Sequence, residues 1–249
     1  MDKIRAFLIH LAISLIVVAA LCGLIFFVWY PGAFFEVRGT WNALKILISV
    51  DLVVGPLLTL VVYKAGKSSL KFDMSVIAAI QLLALVYGSW VLYQERPYYM
   101  IFAVDRFELI GRHEVDTSGA VFDSLPVKPL VGPAQAIALR PDNPEDLQQL
   151  MNEVLFEAKP DIERRPNLWH AYAEAKEHVA ERLVDLAKLT GQGPDAAATV
   201  EAYLQSTNRN AAELGYIPLI GRERNFAVIL DRETVDPLAI LDLEPWPQS

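Results

Sequence analysis

The sequence predicts a membrane protein with three transmembrane α-helices followed by an α+β domain outside the membrane. Two observations support this prediction. Three apolar runs, at about residues 7–28, 41–63 and 72–93, are each long enough to cross the roughly 30 Å hydrocarbon core of a bilayer. The rest of the chain mixes apolar and charged residues and is long enough to bury its own core. We therefore divide the chain into a membrane domain, 1–96, and a second domain, 97–249.

The two parts also differ in charge. Residues 1–96 contain 8 Lys and Arg against 5 Asp and Glu, whereas residues 97–249 contain 14 against 25. An acidic domain lacks the basic surface that nucleic-acid binding requires, so we expect no nucleic-acid partner. Cys22 is the single cysteine, so no disulfide can form within one chain.

Basic residues predict the orientation in the membrane. They precede the first span and fill the loop between the second and third spans, at Lys3, Arg5, Lys64, Lys67 and Lys71. Because Lys and Arg collect on the cytoplasmic side, the N-terminus is predicted to lie in the cytoplasm. Three crossings then place residues 97–249 outside. In a bacterium with two membranes, this describes a multi-pass inner-membrane protein with a periplasmic C-terminal domain.

The second span carries an acidic residue at mid-bilayer depth. Asp51 lies ten residues after Trp41, which at 1.5 Å per residue is about 15 Å into the span. An ionisable side chain at that depth costs about 2.5–3.5 kcal/mol, so it faces protein rather than lipid. Asp51 could serve as a proton or ion relay. We favour the interpretation that Asp51 has a structural role in helix packing or in the docking of another protein's helix.

Two helix faces are suited to close packing. Each residue of a helix is rotated by about 100° from the one before it, so positions four apart lie on the same face. One face of the second helix therefore contains Asp51, Gly55 and Thr59. On the third helix the corresponding face contains Gln81, Ala84 and Gly88. Gln81 lies at the depth of Asp51 and is predicted to donate a hydrogen bond to it. We predict that these six residues form a partner-binding surface through membrane helix packing.

The elements of the second domain follow from local signals. Residues 98–110 are rich in β-branched and aromatic side chains and predict a strand, and a loop rich in Pro and Gly follows to about residue 141. Three helices are predicted, starting at Asn143-Pro144, at Pro166-Asn167 and at Pro194. Three short apolar runs near the end predict an antiparallel meander at 216–220, 225–230 and 238–243. Together with the first strand they predict one antiparallel sheet with packed helices.

The sequence offers no convincing catalytic or metal site. His170, Glu174 and His178 would share a helix face, but the two histidines would be about 12 Å apart along the axis, too far to bind one ion. No Gly-x-Ser-x-Gly elbow, phosphate loop or dinucleotide fingerprint occurs in the sequence. We therefore predict no catalytic residues, no metal and no cofactor.

Five strings of the first part resemble a known family. They are RAFLIHL at 5–11, FVWYPG at 27–32, VDLVVGPLLTLVVYKAGK at 50–67, LKFD at 70–73 and ERPYYMIFAVDRF at 95–107. Together they resemble the type IV pilin accessory proteins, the TfpX/TfpZ family, over roughly the first 110 residues. The resemblance implies an inner-membrane protein of pilus-bearing bacteria that affects the assembly or surface abundance of the major type IV pilin.

We therefore expect a pilin-specific chaperone or assembly modulator. A pilin waits in the membrane with one apolar helix embedded and its head outside. A partner that has both a helix bundle and an outer domain can contact both parts at once, and two linked contacts gain from effective concentration. The alternative classes are a subunit of a membrane transporter and a membrane-anchored periplasmic enzyme. A continuous polar path between the helices would favour transport, and a cleft with perturbed ionisable groups would favour an enzyme.

Overall fold

The computed structural model describes residues 2–118 and 129–246, so part of the loop predicted between residues 111 and 141 lies outside the described residues. The chain divides into two units, which we describe separately. The helical unit contains Met1–Pro31 and Gly39–Arg96. The sheet unit contains Pro97–Ser249 together with Gly32–Arg38, a segment that the sequence analysis placed in the membrane domain.

The first part of the chain is helical, as predicted. Its helices are α1 Lys3–Leu24, α2 Phe34–Arg38, α3 Trp41–Ser49, α4 Gly55–Val62 and α5 Leu70–Gln94. A π-helical turn, Ile25–Trp29, extends α1, and a second π-helical turn, Val50–Val54, joins α3 to α4. The three resulting helical rods are long and apolar enough to cross a membrane. Short α2 belongs to the sheet unit.

The described part of the sheet unit contains one eight-stranded sheet. Its strands are β1 Tyr99–Ala103, β2 Arg106–Ile110, β3 Ala134–Ala138, β4 Trp169–Ala171, β5 Val184–Asp185, β6 Leu214–Ile220, β7 Phe226–Asp231 and β8 Pro237–Leu241. The strand order is β4-β3-β1-β2-β6-β7-β8, and β5 pairs with β6. The final meander, β6-β7-β8, is antiparallel as predicted.

The sheet is mixed rather than antiparallel throughout. The stretch predicted as one strand at 98–110 is a hairpin, in which β1 and β2 are joined by a turn at Val104 and Asp105. Parallel pairing then joins β1 to β3 and β2 to β6. β3 was not predicted, because its Ala-Gln-Ala-Ile-Ala run has a low intrinsic strand preference and lies in a stretch predicted to be a loop.

The sheet buries apolar side chains on both faces. In β1, Met100 and Phe102 belong to one core cluster, whereas Tyr99, Ile101 and Ala103 belong to the other. This alternation follows from the two-residue period of a strand, and burial on both faces is typical of strands with parallel neighbours. The central strands therefore lie between two layers of packed side chains.

The helices of the sheet unit match the prediction in part. They are α6 Pro144–Phe156, α7 Tyr172–Ala175, α8 Glu177–Ala180, α9 Ala187–Thr190 and α10 Pro194–Thr207. Asn143 caps α6 as expected, because its Oδ1 accepts a hydrogen bond of 3.0 Å from the Glu145 N–H. The prediction of one continuous helix that starts at Pro166-Asn167 is wrong. The stretch from Pro166 to Thr190 instead contains, in order, a 3₁₀ turn, β4, α7, α8, β5 and α9.

Candidate functional site

Four of the six residues predicted to form a membrane partner surface are buried inside the helical unit. These are Asp51, Gly55, Thr59 and Gln81, whereas Ala84 and Gly88 are half-buried. The structure brings Asp51, Gly55 and Gln81 into mutual contact. It therefore uses these side chains to pack the chain's own helices, and their role in binding a partner stays a prediction.

The contact between Asp51 and Gln81 has a cause in the backbone. In the π-helical turn, the Gly55 N–H donates to the carbonyl of Val50 rather than to that of Asp51. The next N–H along the helix would come from position 56, but Pro56 has none. The Asp51 carbonyl is thus left for a donor on another helix, and Gln81 Nε2 donates to it over a long 3.4 Å.

Glycines at two positions allow the helices to approach closely. A Cβ on Gly55 would lie 1.9 Å from Gln81 Nε2 and 2.3 Å from its Cδ, so any other residue would displace this side chain. A Cβ on Gly88 would lie 2.9 Å from a methyl group of Leu47. Gly55 therefore makes room for the amide that caps the Asp51 carbonyl. Gly88 brings α5 close to α3.

A second polar contact joins the first and second spans. His10 Nδ1 lies 2.6 Å from the Thr59 hydroxyl oxygen, and Thr59 is fully buried. This pair was not predicted from the sequence. A signal was present, because His10 lies three residues from Phe7 and Thr59 lies four from Tyr63, so that they lie at similar depths from the same ends of antiparallel spans.

One oxygen of the Asp51 side chain lacks a hydrogen-bond partner among the described residues. Oδ2 is buried and has no hydrogen-bond partner within residues 2–118 and 129–246. A buried acceptor without a donor destabilises the structure, so it is a position at which one further N–H or O–H group could bind.

The Gly32–Arg38 segment forms part of the core of the sheet unit. Phe35 and Val37 are buried, and Val37 belongs to the same apolar cluster as Phe102. The Val37 carbonyl also accepts a hydrogen bond of 2.9 Å from the Arg222 N–H. In the sequence this stretch lies between the first two predicted spans, although three of the four residues in FFEV, at 34–37, are apolar, which was a signal of burial. We call these seven residues the inserted segment.

Arg38 ends the inserted segment with a partly buried ion pair. Its Nη1 donates to the Leu109 carbonyl and to Glu114 Oε2, both at 3.0 Å. Burial alone would raise the pKa of Glu114, but the Arg38 guanidinium and the hydrogen bond from the Gly111 N–H outweigh it. The pKa of Glu114 is therefore lowered, and its carboxylate stays charged in the folded unit.

Glu108 on β2 is an acid of the sheet unit whose pKa is raised. Burial, together with the nearby Glu163, raises the pKa of Glu108. Arg106 and Arg164 each lie 3.6 Å from a Glu108 oxygen, and Arg164 also pairs with Glu163. Because both acids are held in ion pairs, we interpret them as structural rather than as an acid–base pair.

The residues considered for metal binding do not share a helix face. His170 lies in β4, Glu174 in α7 and His178 in α8. Within the described residues, no group of three or more His, Cys, Asp or Glu side chains is arranged to hold a metal ion.

The capping of Asp51 by Gln81 can be tested with a compensating pair of substitutions. We expect Gln81→Leu to lower the stability of the helical unit by about 1 kcal/mol, because it leaves a buried carbonyl without a donor. Adding Pro56→Ala should recover part of this loss, since alanine supplies the missing N–H. Thermal unfolding of the full chain in detergent would measure both effects. Gln94→Leu, at the exposed end of α5, is the matched control, and no recovery by Pro56→Ala would contradict the capping.

Comparisons with known proteins point to one family. The family model described as fimbrial assembly protein FimB matches residues 1–39. The fimbrial assembly proteins of Dichelobacter nodosus serogroups I and E1 are each 30% identical over 236 residues, covering 90% of this chain and 89% of the relative. The protein of serogroups C1 and C2 is 34% identical over 120 residues, covering 47% of this chain and 88% of the relative. No solved structure matches the chain significantly.

Proposed function

Because the chain belongs to the family of fimbrial assembly proteins, we propose that it is a membrane accessory protein of pilus assembly that contacts the major pilin. The observation that carries this proposal is the extent of the match, which covers 90% of the chain and therefore includes residues of both units. Within the family, we assign it to the type IV pilin accessory proteins of the TfpX/TfpZ kind. The VDLVVGPLLTLVVYKAGK string at residues 50–67 supports this finer assignment.

We place the protein in the bacterial inner membrane, with the N-terminus in the cytoplasm and the sheet unit in the periplasm. The distribution of lysines and arginines supports this orientation. A pilin that awaits assembly has its apolar helix embedded in the same membrane and its head on the periplasmic side. The accessory protein could therefore contact both parts of the pilin, acting as a chaperone or as an assembly modulator.

We assign different roles to the two units. The polar and small side chains of the helical unit are largely occupied by its own packing, so a pilin helix would contact the outer surfaces of the spans. Embedded pilin helices are broadly alike, whereas pilin heads differ. Discrimination between pilins is therefore assigned to the sheet unit.

An exchange of units between relatives tests this proposal. The exchanged unit must contain both Gly32–Arg38 and Pro97–Ser249, because the inserted segment completes the core of the sheet unit. We expect a chimera that carries both pieces from a relative serving a different pilin to acquire that relative's pilin preference. The measurement is surface pilus abundance in a deletion strain that carries each chimera with each pilin.

Two controls accompany the exchange. In the first control only Pro97–Ser249 is exchanged, so the inserted segment and the rest of the sheet unit come from different proteins. The cellular level of this chimera is compared with that of the complete exchange. Alkaline phosphatase joined after Ser249 should be active, because it matures only in the periplasm. An inactive but stable fusion would refute the orientation.

Two outcomes of the exchange would contradict the proposal. If pilin preference followed the three spans, the division of roles would be wrong. If every chimera supported both pilins equally, the protein would not be a pilin-specific partner.

A further inference from the structure

A small cavity opens at the carboxyl ends of two parallel strands in the sheet unit. Its volume is about 180 Å³, and its walls include Phe102 at the end of β1 and Leu139 just after β3. In open sheets with parallel strands, ligands bind preferentially outside the carboxyl ends of these strands. The cavity therefore lies where the fold most readily provides a binding site.

Two arginines that line this cavity have no side-chain partner among the residues that the structure describes. Most arginines of the sheet unit form ion pairs, namely Arg38, Arg106, Arg164, Arg165, Arg209, Arg224 and Arg232. By contrast, the side chains of Arg140 and Arg182 form no ion pair or hydrogen bond within the described residues, and both line the cavity. Both side chains are exposed, and what sets them apart is that they line the same cavity. Two guanidinium groups that converge on one cavity provide a position for an anion.

The backbone at the cavity mouth is strained. Val104 lines the cavity and has a φ of 63°, a left-handed conformation that is costly for a β-branched residue. Strain of this kind persists where the surrounding structure fixes it, and it is concentrated at binding sites. Here the strained residue forms the turn between β1 and β2 and places an apolar side chain beside the arginines.

The other lining residues select among anions. Glu181 also lines the cavity, so the carboxylate and the two guanidinium groups together carry a net charge of about one positive unit, which matches a monoanion better than a dianion. Phe102, Leu139 and Ile162 form an apolar wall that would contact a hydrocarbon stem. A cavity of about 180 Å³ is smaller than the usual 300–1,000 Å³ of sites for drug-sized ligands.

We propose that this cavity binds a single carboxylate group carried on an apolar stem. Arg140 and Arg182 hold the carboxylate, Glu181 opposes more highly charged anions, and the apolar wall contacts the stem. The carboxylate could belong to a free organic acid or to the C-terminal residue of a polypeptide. This site does not depend on the proposed role in pilus assembly.

Binding to the full chain in phosphatidylcholine nanodiscs tests the site. The small probe is 4-methylpentanoate, compared with its uncharged amide and with inorganic phosphate, and binding is followed by NMR titration of the probe. We expect the carboxylate to bind and the amide to bind at least tenfold more weakly. Arg140→Gln and Arg182→Gln should each reduce affinity about tenfold, the usual effect of losing one charged hydrogen bond.

Two further variants keep the result interpretable. Arg224→Gln removes the same charge at an exposed position outside the cavity and should leave binding unchanged. Glu181→Gln should strengthen binding severalfold, which a merely unfolded variant could not do. Equal binding of the amide, tighter binding of phosphate, or an equal loss in Arg224→Gln would overturn the proposal.

A peptide arm of the experiment identifies the source of the carboxylate. The peptide acetyl-Gly-Gly-Leu is compared with its C-terminal amide. Binding of the free acid form, tighter than that of 4-methylpentanoate, would assign the site to a polypeptide end. Weaker binding than that of 4-methylpentanoate would assign it to a free organic acid. If neither carboxylate binds, no carboxylate site exists.

Discussion

A fragment that begins at Pro97 is expected not to fold, whereas the same fragment with the inserted segment restored is expected to fold. Phe35 and Val37 are buried in the sheet unit, and burying each such side chain contributes about 1.5–3 kcal/mol. Loss of Arg38 also leaves Glu114 without its partner. The combined loss, about 5 kcal/mol or more, is comparable with the 5–15 kcal/mol stability of a typical domain.

The experiment compares two soluble fragments. One contains residues 97–249, and the other carries residues 32–38 joined to its start by a flexible Gly/Ser linker of about 20 residues. Cooperative thermal unfolding, followed by circular dichroism, is expected only for the second fragment. A third fragment with Val37→Asp in the restored segment is the matched control and should behave like the first. Equally cooperative unfolding of all three would show that the segment contributes little to the core.

The sequence predicted those elements whose signals are local. Three long apolar runs predict three spans on length alone, because few other structures use such runs. The sequence also predicted the helix cap at Asn143 and the meander from Leu214 to Leu241, because capping residues and short apolar runs determine structure within a few residues of themselves. Comparing depths along antiparallel helices was enough to pair Gln81 with Asp51. It would have been enough to pair His10 with Thr59 as well.

The elements that the sequence analysis missed depend on contacts between distant residues. The stretch after Pro166 has helical spacing of apolar residues, but Trp169–Ala171 pairs with β3 and breaks the helix into short pieces. Tertiary pairing thus overrode local preference. The inserted segment is likewise seven residues long and gains its structure from the sheet unit. The cavity at Arg140 and Arg182 joins positions far apart in sequence, so no spacing pattern could have indicated it.

The substitution Arg38→Met is expected to destabilise the sheet unit by about 3 kcal/mol at neutral pH, at the lower end of the cost of breaking a buried ion pair. The side chains of Arg38 and Glu114 are only 11% and 28% exposed, so solvent screens the remaining charge weakly. The substitution also leaves the Leu109 carbonyl without its donor. Chemical unfolding of the full chain in detergent, followed by tryptophan fluorescence, would measure the loss.

The pH dependence of this loss identifies its cause. In the parent protein the pKa of Glu114 is lowered, so its stabilising effect is present above the ordinary glutamate pKa of about 4.3 and is lost as the pH falls through the lowered value. The Arg38→Met chain instead buries an unpaired carboxylate, which protonation relieves. The difference in stability between the two proteins should therefore shrink as the pH is lowered from 7 to 4.

Arg224→Met is the control for this substitution. It removes ion pairs that are half exposed and should lower the stability by less than about 1 kcal/mol. A difference between parent and Arg38→Met that stays constant with pH would show that lost packing, not the ion pair, destabilises the variant.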